Sequence, residues 1–143
     1  MSMKRSASAV WQGNLKGGKG SVSTASGTLA STPYSFAMRF ENSPGTNPEE
    51  LMAAAEAGCF AMALSADLGE AGFTPDKIDA KATVTLDTVN GKPTLTNMHV
   101  VVSAKVPKID AKKFQEIATA TKGGCPISRA LNMPITLEAK LES

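Results

Sequence analysis

Residues 47–72 read NPEELMAAAEAGCFAMALSADLGEAG, and the reading of this stretch decides the fold. Asn47 is a good helix N-cap, Pro48 suits the first helical position, and Glu49 and Glu50 favour the positive end of the helix dipole. Gly69, Gly72 and Pro75 mark the other end. From Glu49 to Gly72 the pattern predicts ~36 Å of helix. Between Leu51 and Leu64 it is apolar on nearly every face, with six alanines, Gly58 and two methionines. A helix apolar all round must be surrounded by protein. A sheet on one side and a partner helix or second subunit on the other would enclose it. Glu56 and Asp67 interrupt the run, which argues for a buried soluble helix and against a membrane span.

Working outward, the segment before this helix reads as short strands joined by glycine turns. Ser6–Gln12, Ser21–Thr24 and Tyr34–Phe40 are the expected strands, and 41–47 is a loop rich in turn formers. After the helix, Ile78–Val89 alternates Ala82, Val84 and Leu86 against Thr83, Thr85 and Asp87. Asn90-Gly91 is a type I′ turn signal, and Leu95–Val106 returns with Met98, Val100, Val102 and Ala104 on one side. A second helix is expected over Asp110–Lys122, broken at Gly123-Gly124, then a short one from Cys125-Pro126 to Leu131 and a strand over Ile135–Leu141. The pattern fits a single α+β domain over residues 1–143, an antiparallel sheet with a long buried central helix and a second helix.

Composition narrows the function. With 42% hydrophobic and 20% charged residues, the 143-residue chain has ordinary globular usage and can bury a core without disulfide staples. Its 15 basic residues are scattered rather than set in a stripe with aromatics, which argues against nucleic-acid binding. No apolar run follows Lys4-Arg5, so the start does not read as a signal peptide, and a cytoplasmic protein is expected. Two cysteines in that setting point to thiols. They lie 66 residues apart with a single histidine, His99, in the chain, so neither a metal site nor a cofactor is expected. His99 reads as a surface histidine.

Cys59 sits mid-helix between Gly58 and Phe60, where packing would normally silence a thiol. Cys125 precedes Pro126 at the N-cap position of a short helix, where amides and the dipole favour a thiolate. A helix end supplies only part of the stabilisation that an active thiolate needs, so a cation is required too. Lys19, Lys122, Arg129 and Arg39 are the candidates, and Arg39 stands out on an otherwise uncharged expected strand. Glu56, three residues before Cys59, projects from much the same helix face; ionised, it would raise the thiol pKa.

The run from Arg39-Phe40-Glu41 through Gly45-Thr46-Asn47-Pro48-Glu49-Glu50-Leu51 to Gly58-Cys59-Phe60 resembles the OsmC/Ohr hydroperoxide-reducing proteins, as does Gly124-Cys125-Pro126-Ile127-Ser128. The likeness extends from Trp11 and Gly20–Thr24 to the last strand. It is closer to the OsmC branch, because Lys19 stands where Ohr-type proteins have arginine in a Gly-Gly-Arg turn. Glu56 departs from the His or aromatic residue of the family pattern. The resemblance implies that Cys59 is the peroxidatic thiol, Cys125 the resolving thiol, and Arg39 with Glu49 the activating pair. It further implies an intertwined homodimer acting on organic hydroperoxides in oxidative or osmotic stress, with a small dithiol, lipoyl-type, as reductant.

A second reading, from a different class, is a non-enzymatic dimer that holds a lipid or metabolite, its cysteines structural. Helix geometry adds one expectation. Glu49 and Cys59 are separated by ten residues of one helix, a rise of ~15 Å, so a compact site containing both groups would draw Glu49 from a second subunit.

Overall fold

The computed structural model describes residues 1–142. The chain divides into two compact units, 1–51 and from Met52 onward, each with its own three-stranded sheet. In the first unit β1 (Ala7–Gln12), β2 (Lys19–Thr24) and β3 (Thr32–Tyr34) pair antiparallel in chain order. Trp11 and Tyr34 stack across this sheet with ring centroids 5.5 Å apart. Gly20 lies under both rings; a Cβ there would come within 2.5 Å of Tyr34 and 2.7 Å of Trp11, so no larger residue fits without moving the pair.

Beyond Tyr34 the expected strand is replaced by α1 (Phe36–Phe40). Ser35 is extended, and its side chain accepts a hydrogen bond from the Met38 N–H at 3.2 Å, an N-cap that starts the helix. Phe36 and Phe40, four residues apart, then stack at 4.9 Å. Local capping has overridden the β-preference of the aromatics, and Arg39 occupies the last turn of a helix.

The long helix, α2 (Pro48–Glu70), starts as its sequence predicts: Asn47 Oδ1 accepts the Glu50 N–H at 2.8 Å. It closes at Gly72 (φ +89), with Phe73 N–H donating to Leu68 O and Gly72 N–H to Gly69 O, the paired bonds of a Schellman motif.

In the second unit α2 is followed by β4 (Lys77–Val89), β5 (Lys92–Lys105), α3 (Ala111–Gly124), α4 (Pro126–Ala130) and β6 (Ile135–Leu141). β4 and β5 form the expected hairpin, with Asn90 and Gly91 both at positive φ and a bulge between Thr85 and Leu86. One pairing is parallel: β6 lies beside β5 with Met98 opposite Ile135. The α3–α4 segment provides the crossover that a parallel pair requires. The second helix was expected to break at Gly123-Gly124, yet α3 runs through both. Glycine only weakens a helix, whereas Pro126 drives the preceding Cys125 out of the helical region, to ψ 123.

Met98, Val100, Val102 and Ala104 of β5 pack with Phe114 and Ala118 of α3 and with Phe60, Leu64 and Leu68 of α2, all completely buried. Each such Phe or Leu contributes about 1.5–3 kcal/mol. The opposite face of α2 is uncovered, with Ala54, Ala55, Gly58 and Ala66 exposed and Met62 at 78% exposure. The helix expected to be buried all round is thus buried along one stripe, because the rest of the second unit can cover only one side of a cylinder. Long and apolar enough to cross a membrane by length and composition, α2 is nonetheless a core helix here: Phe60, Leu64 and Leu68 enter the core and the carboxyl of Glu56 is buried beside it.

Candidate functional site

The four residues expected to carry the chemistry form two groups, one in each unit. In the second unit the Sγ atoms of Cys59 and Cys125 lie 2.9 Å apart and share a hydrogen bond. Both are free thiols. Cys59 is half-buried on α2, while Cys125 is completely buried at the joint between α3 and α4. Packing therefore leaves Cys59 partly accessible; Cys125 is the enclosed member of the pair. The Cys125 N–H donates to Thr121 O and its carbonyl accepts from the Arg129 N–H, so its backbone both ends α3 and begins α4.

The first turn of α4 acts differently from expectation. Cys125 makes no side-chain cap bond, and the amide that favours a thiolate, Ile127 N–H, serves Cys59 instead. That amide is outweighed. Burial pushes the Cys59 thiol above its ordinary pKa, the hydrogen bond with Cys125 pushes the same way, and the charges of Cys125 and Glu56 add to the rise. No cation among the described residues contributes to the shift. A thiol with a raised pKa stays protonated at neutral pH, so its thiolate fraction climbs about tenfold per pH unit until the pKa is reached. Glu56→Gln removes one upward influence and is expected to move the pH profile of Cys59 alkylation to lower pH. A profile that stays in place, measured by iodoacetamide labelling and mass spectrometry, would exclude a charge effect from Glu56.

Glu56 itself is completely buried. Ser128 Oγ donates to its Oε1, while Oε2 has no partner among the described residues. This answers where the Glu56 side chain goes: it meets a hydroxyl on α4, not a cation. In the sequence Ser128 has no role beyond its place in the motif that contains Cys125. The usable signal was spacing, since Ser128 follows Cys125 by three residues as Glu56 precedes Cys59 by three.

In the first unit Arg39 and Glu49 form a forked ion pair. Nε donates to Oε1 at 3.0 Å and to Oε2 at 3.2 Å, and Nη2 donates to Oε1 at 2.7 Å. Glu49 is held in the first turn of α2 and nearly buried; the Arg39 side chain is 39% exposed. Asn47 links the two segments, since its Nδ2 donates to Met38 O while its Oδ1 caps α2. The carboxylate fixes the plane of the guanidinium, and Nη1 has no partner among the described residues. An aromatic-lined cavity of about 240 Å³ adjoins Arg39, walled by Trp11, Tyr34, Phe36 and Phe40.

Met52, Phe60 and Met62, expected from the sequence to supply apolar surface around the Cys59 thiol, lie in different surroundings. Phe60 is in the core and Met62 on the exposed face of α2, so these two do not line one surface with Cys59. Met52 instead borders a cavity of about 340 Å³ with Leu95, Leu131 and Met133. His99 is satisfied on the sheet surface, Nδ1 2.6 Å from Thr136 Oγ1 and Nε2 2.6 Å from Glu138 Oε2.

A family model described as OsmC-like protein matches residues 40–140. The chain is 49% identical over its full length, and the full length of the relative, to the Escherichia coli K12 protein named peroxiredoxin OsmC. It is 34% identical over 103 residues, 70% of this chain and 74% of the relative, to the organic hydroperoxide resistance protein OhrB of Bacillus subtilis. Among solved structures, the crystal structure of that OhrB superposes with a TM-score of 0.68 at 26% identity, covering 96% of this chain and 98% of the other. An OsmC-like protein from Mycoplasma pneumoniae shares the fold at a TM-score of 0.77 and 15% identity, with both chains fully covered.

Proposed function

The chain belongs to the OsmC-like protein family, and from that premise we propose that Cys59, Cys125, Arg39 and Glu49 carry out a hydroperoxide reduction. The protein is a cysteine-based peroxidase acting on organic hydroperoxides. Cys59 as thiolate attacks the terminal peroxide oxygen, the O–O bond breaks, and the alkoxide takes a proton to leave as the alcohol. Cys59 is left as sulfenic acid. The Cys125 sulfur then attacks the Cys59 sulfur, forming the disulfide and releasing water, and a small dithiol of lipoyl type restores both thiols by exchange. Arg39, held planar by Glu49, stabilises the thiolate and polarises the departing oxygen.

The observation that carries this reading is the 2.9 Å contact between two free thiols of unequal exposure. The half-buried sulfur of Cys59 can meet a substrate; the enclosed sulfur of Cys125 can meet only Cys59. This asymmetry supports Cys59 as the first nucleophile and Cys125 as the resolver. The uncovered small-residue face of α2 and the lack of a cation acting on Cys59 support a homodimer in which a second copy delivers Arg39 and Glu49. Residues 1–143 act as one domain in a reducing, cytoplasmic compartment, which would keep both cysteines as thiols.

Loss of free thiol on adding peroxide to the pure protein tests the function. One intramolecular disulfide per chain is the expected product, and thiols that survive excess hydroperoxide would reverse the conclusion. Substrate preference follows from the aromatic-lined cavity beside Arg39, whose apolar wall a composite site would bring to the substrate. Each substrate methylene buried is worth ~0.8 kcal/mol, so two contacted carbons already give about tenfold. Cumene hydroperoxide should therefore show at least about tenfold higher kcat/KM than hydrogen peroxide. Equal efficiencies would mean that no apolar part of the substrate is bound.

A further inference from the structure

The sulfur pair is the middle member of three side-chain contacts that join α2 to the α3–α4 segment. On one side Ser128 Oγ donates to Glu56 Oε1. On the other, Thr121 Oγ1 donates to Asp67 Oδ2 at 2.6 Å. Residues 56, 59 and 67 meet 128, 125 and 121 in that order, so the two segments are linked antiparallel with the thiols between two hydrogen bonds. Glu56, Thr121 and Cys125 are completely buried and Ser128 is 7% exposed. Water cannot readily reach Glu56 or Ser128, so opening their bond strands buried polar atoms; Thr121 Oγ1 keeps a second acceptor in Ile117 O at 2.9 Å, so there the loss is the tie to Asp67 itself.

Cys125 needs such support. It is the non-helical joint between α3 and α4, with φ −58 and ψ 123, and rotation there would swing its sulfur relative to α2. We propose that the Glu56–Ser128 and Asp67–Thr121 hydrogen bonds are positioning devices that keep the Cys125 sulfur within reach of Cys59 during resolution. This rests on the peroxidase reading given above. In that step Cys125 gives up its proton, its sulfur bonds to the Cys59 sulfur, the S–O bond of the sulfenic acid breaks, and the hydroxide leaves as water. The competing reaction is a second hydroperoxide oxidising the sulfenic acid to sulfinic acid, with loss of a second alcohol and an inactive enzyme. Which outcome prevails depends on how often Cys125 is in place.

The test is the partition between disulfide and sulfinic acid, read by mass spectrometry of full-length protein after cumene hydroperoxide. Thr121→Val and Ser128→Ala should each slow disulfide formation by about tenfold to a hundredfold, as a misplacement near 1 Å does. The sulfinic fraction per turnover should rise in step. Sulfenic acid formation, followed by rapid mixing, should change much less than disulfide formation. Thr121→Ser and Ser128→Thr, which keep the hydroxyls, should restore the native partition. Asp67→Ala, at a half-exposed position, gives the same readout where a buried variant fails to fold. A native partition in these variants would overturn the proposal, as would a parallel fall of both steps with thermal stability that the hydroxyl-retaining variants do not correct. If the unaltered protein forms neither sulfenic acid nor disulfide, the peroxidase reading itself falls, and the positioning role with it.

Discussion

Cys59→Ser is expected to abolish hydroperoxide reduction, a loss on the order of a thousandfold or more, because no other side chain can replace the attacking sulfur. Cys125 cannot take over: it is completely buried and its sulfur faces that of residue 59. Cys125→Ser should behave differently. One equivalent of hydroperoxide per chain should be consumed at close to the native rate, after which turnover stops with a sulfenic acid on Cys59 that a dimedone adduct reports. In the native protein the product should be an intramolecular disulfide between residues 59 and 125. Exclusively intermolecular disulfides, or activity retained without Cys59, would contradict the division of roles that the unequal exposure of the two thiols supports.

Refolding Cys59→Ser and Glu49→Ala chains together should recover activity from two inactive preparations. Both residues belong to the continuous helix α2, ten positions and ~15 Å of rise apart. Within that helix Glu49 cannot share a compact site with Cys59. If each site takes Glu49 and its Arg39 from the other subunit, a mixed dimer contains one site lacking both groups and one intact. Statistical mixing gives half mixed dimers with one working site of two, about a quarter of the native activity. Each preparation refolded alone should stay inactive. Failure of the mixture to gain activity would mean that each site is built within one chain. Composite sites would also bring a cation to the Cys59 thiol, which burial and Cys125 push up.

Much of this was legible in the chain itself. Local signals placed α2 from Asn47 to the glycine stop, the β4–β5 hairpin around Asn90-Gly91, and the inward face of Met98, Val100, Val102 and Ala104, because caps, turns and period-two burial act over a few residues. The motifs around Cys59 and Cys125 likewise singled out the two sulfurs that come within 2.9 Å of each other. Where sequence reading went astray, interactions between segments or competition between local preferences decided. Ser35 capping made Arg39 helical, Pro126 outranked two glycines in ending α3, and the chain left one face of α2 uncovered. Only the tertiary structure brought Cys125 to 2.9 Å from Cys59, turned the Ile127 amide toward Cys59, and gave the carboxyl of Glu56 to Ser128 across 72 residues. Those contacts depend on where whole helices dock against a shared core, a sum over many side chains that no single stretch of sequence encodes.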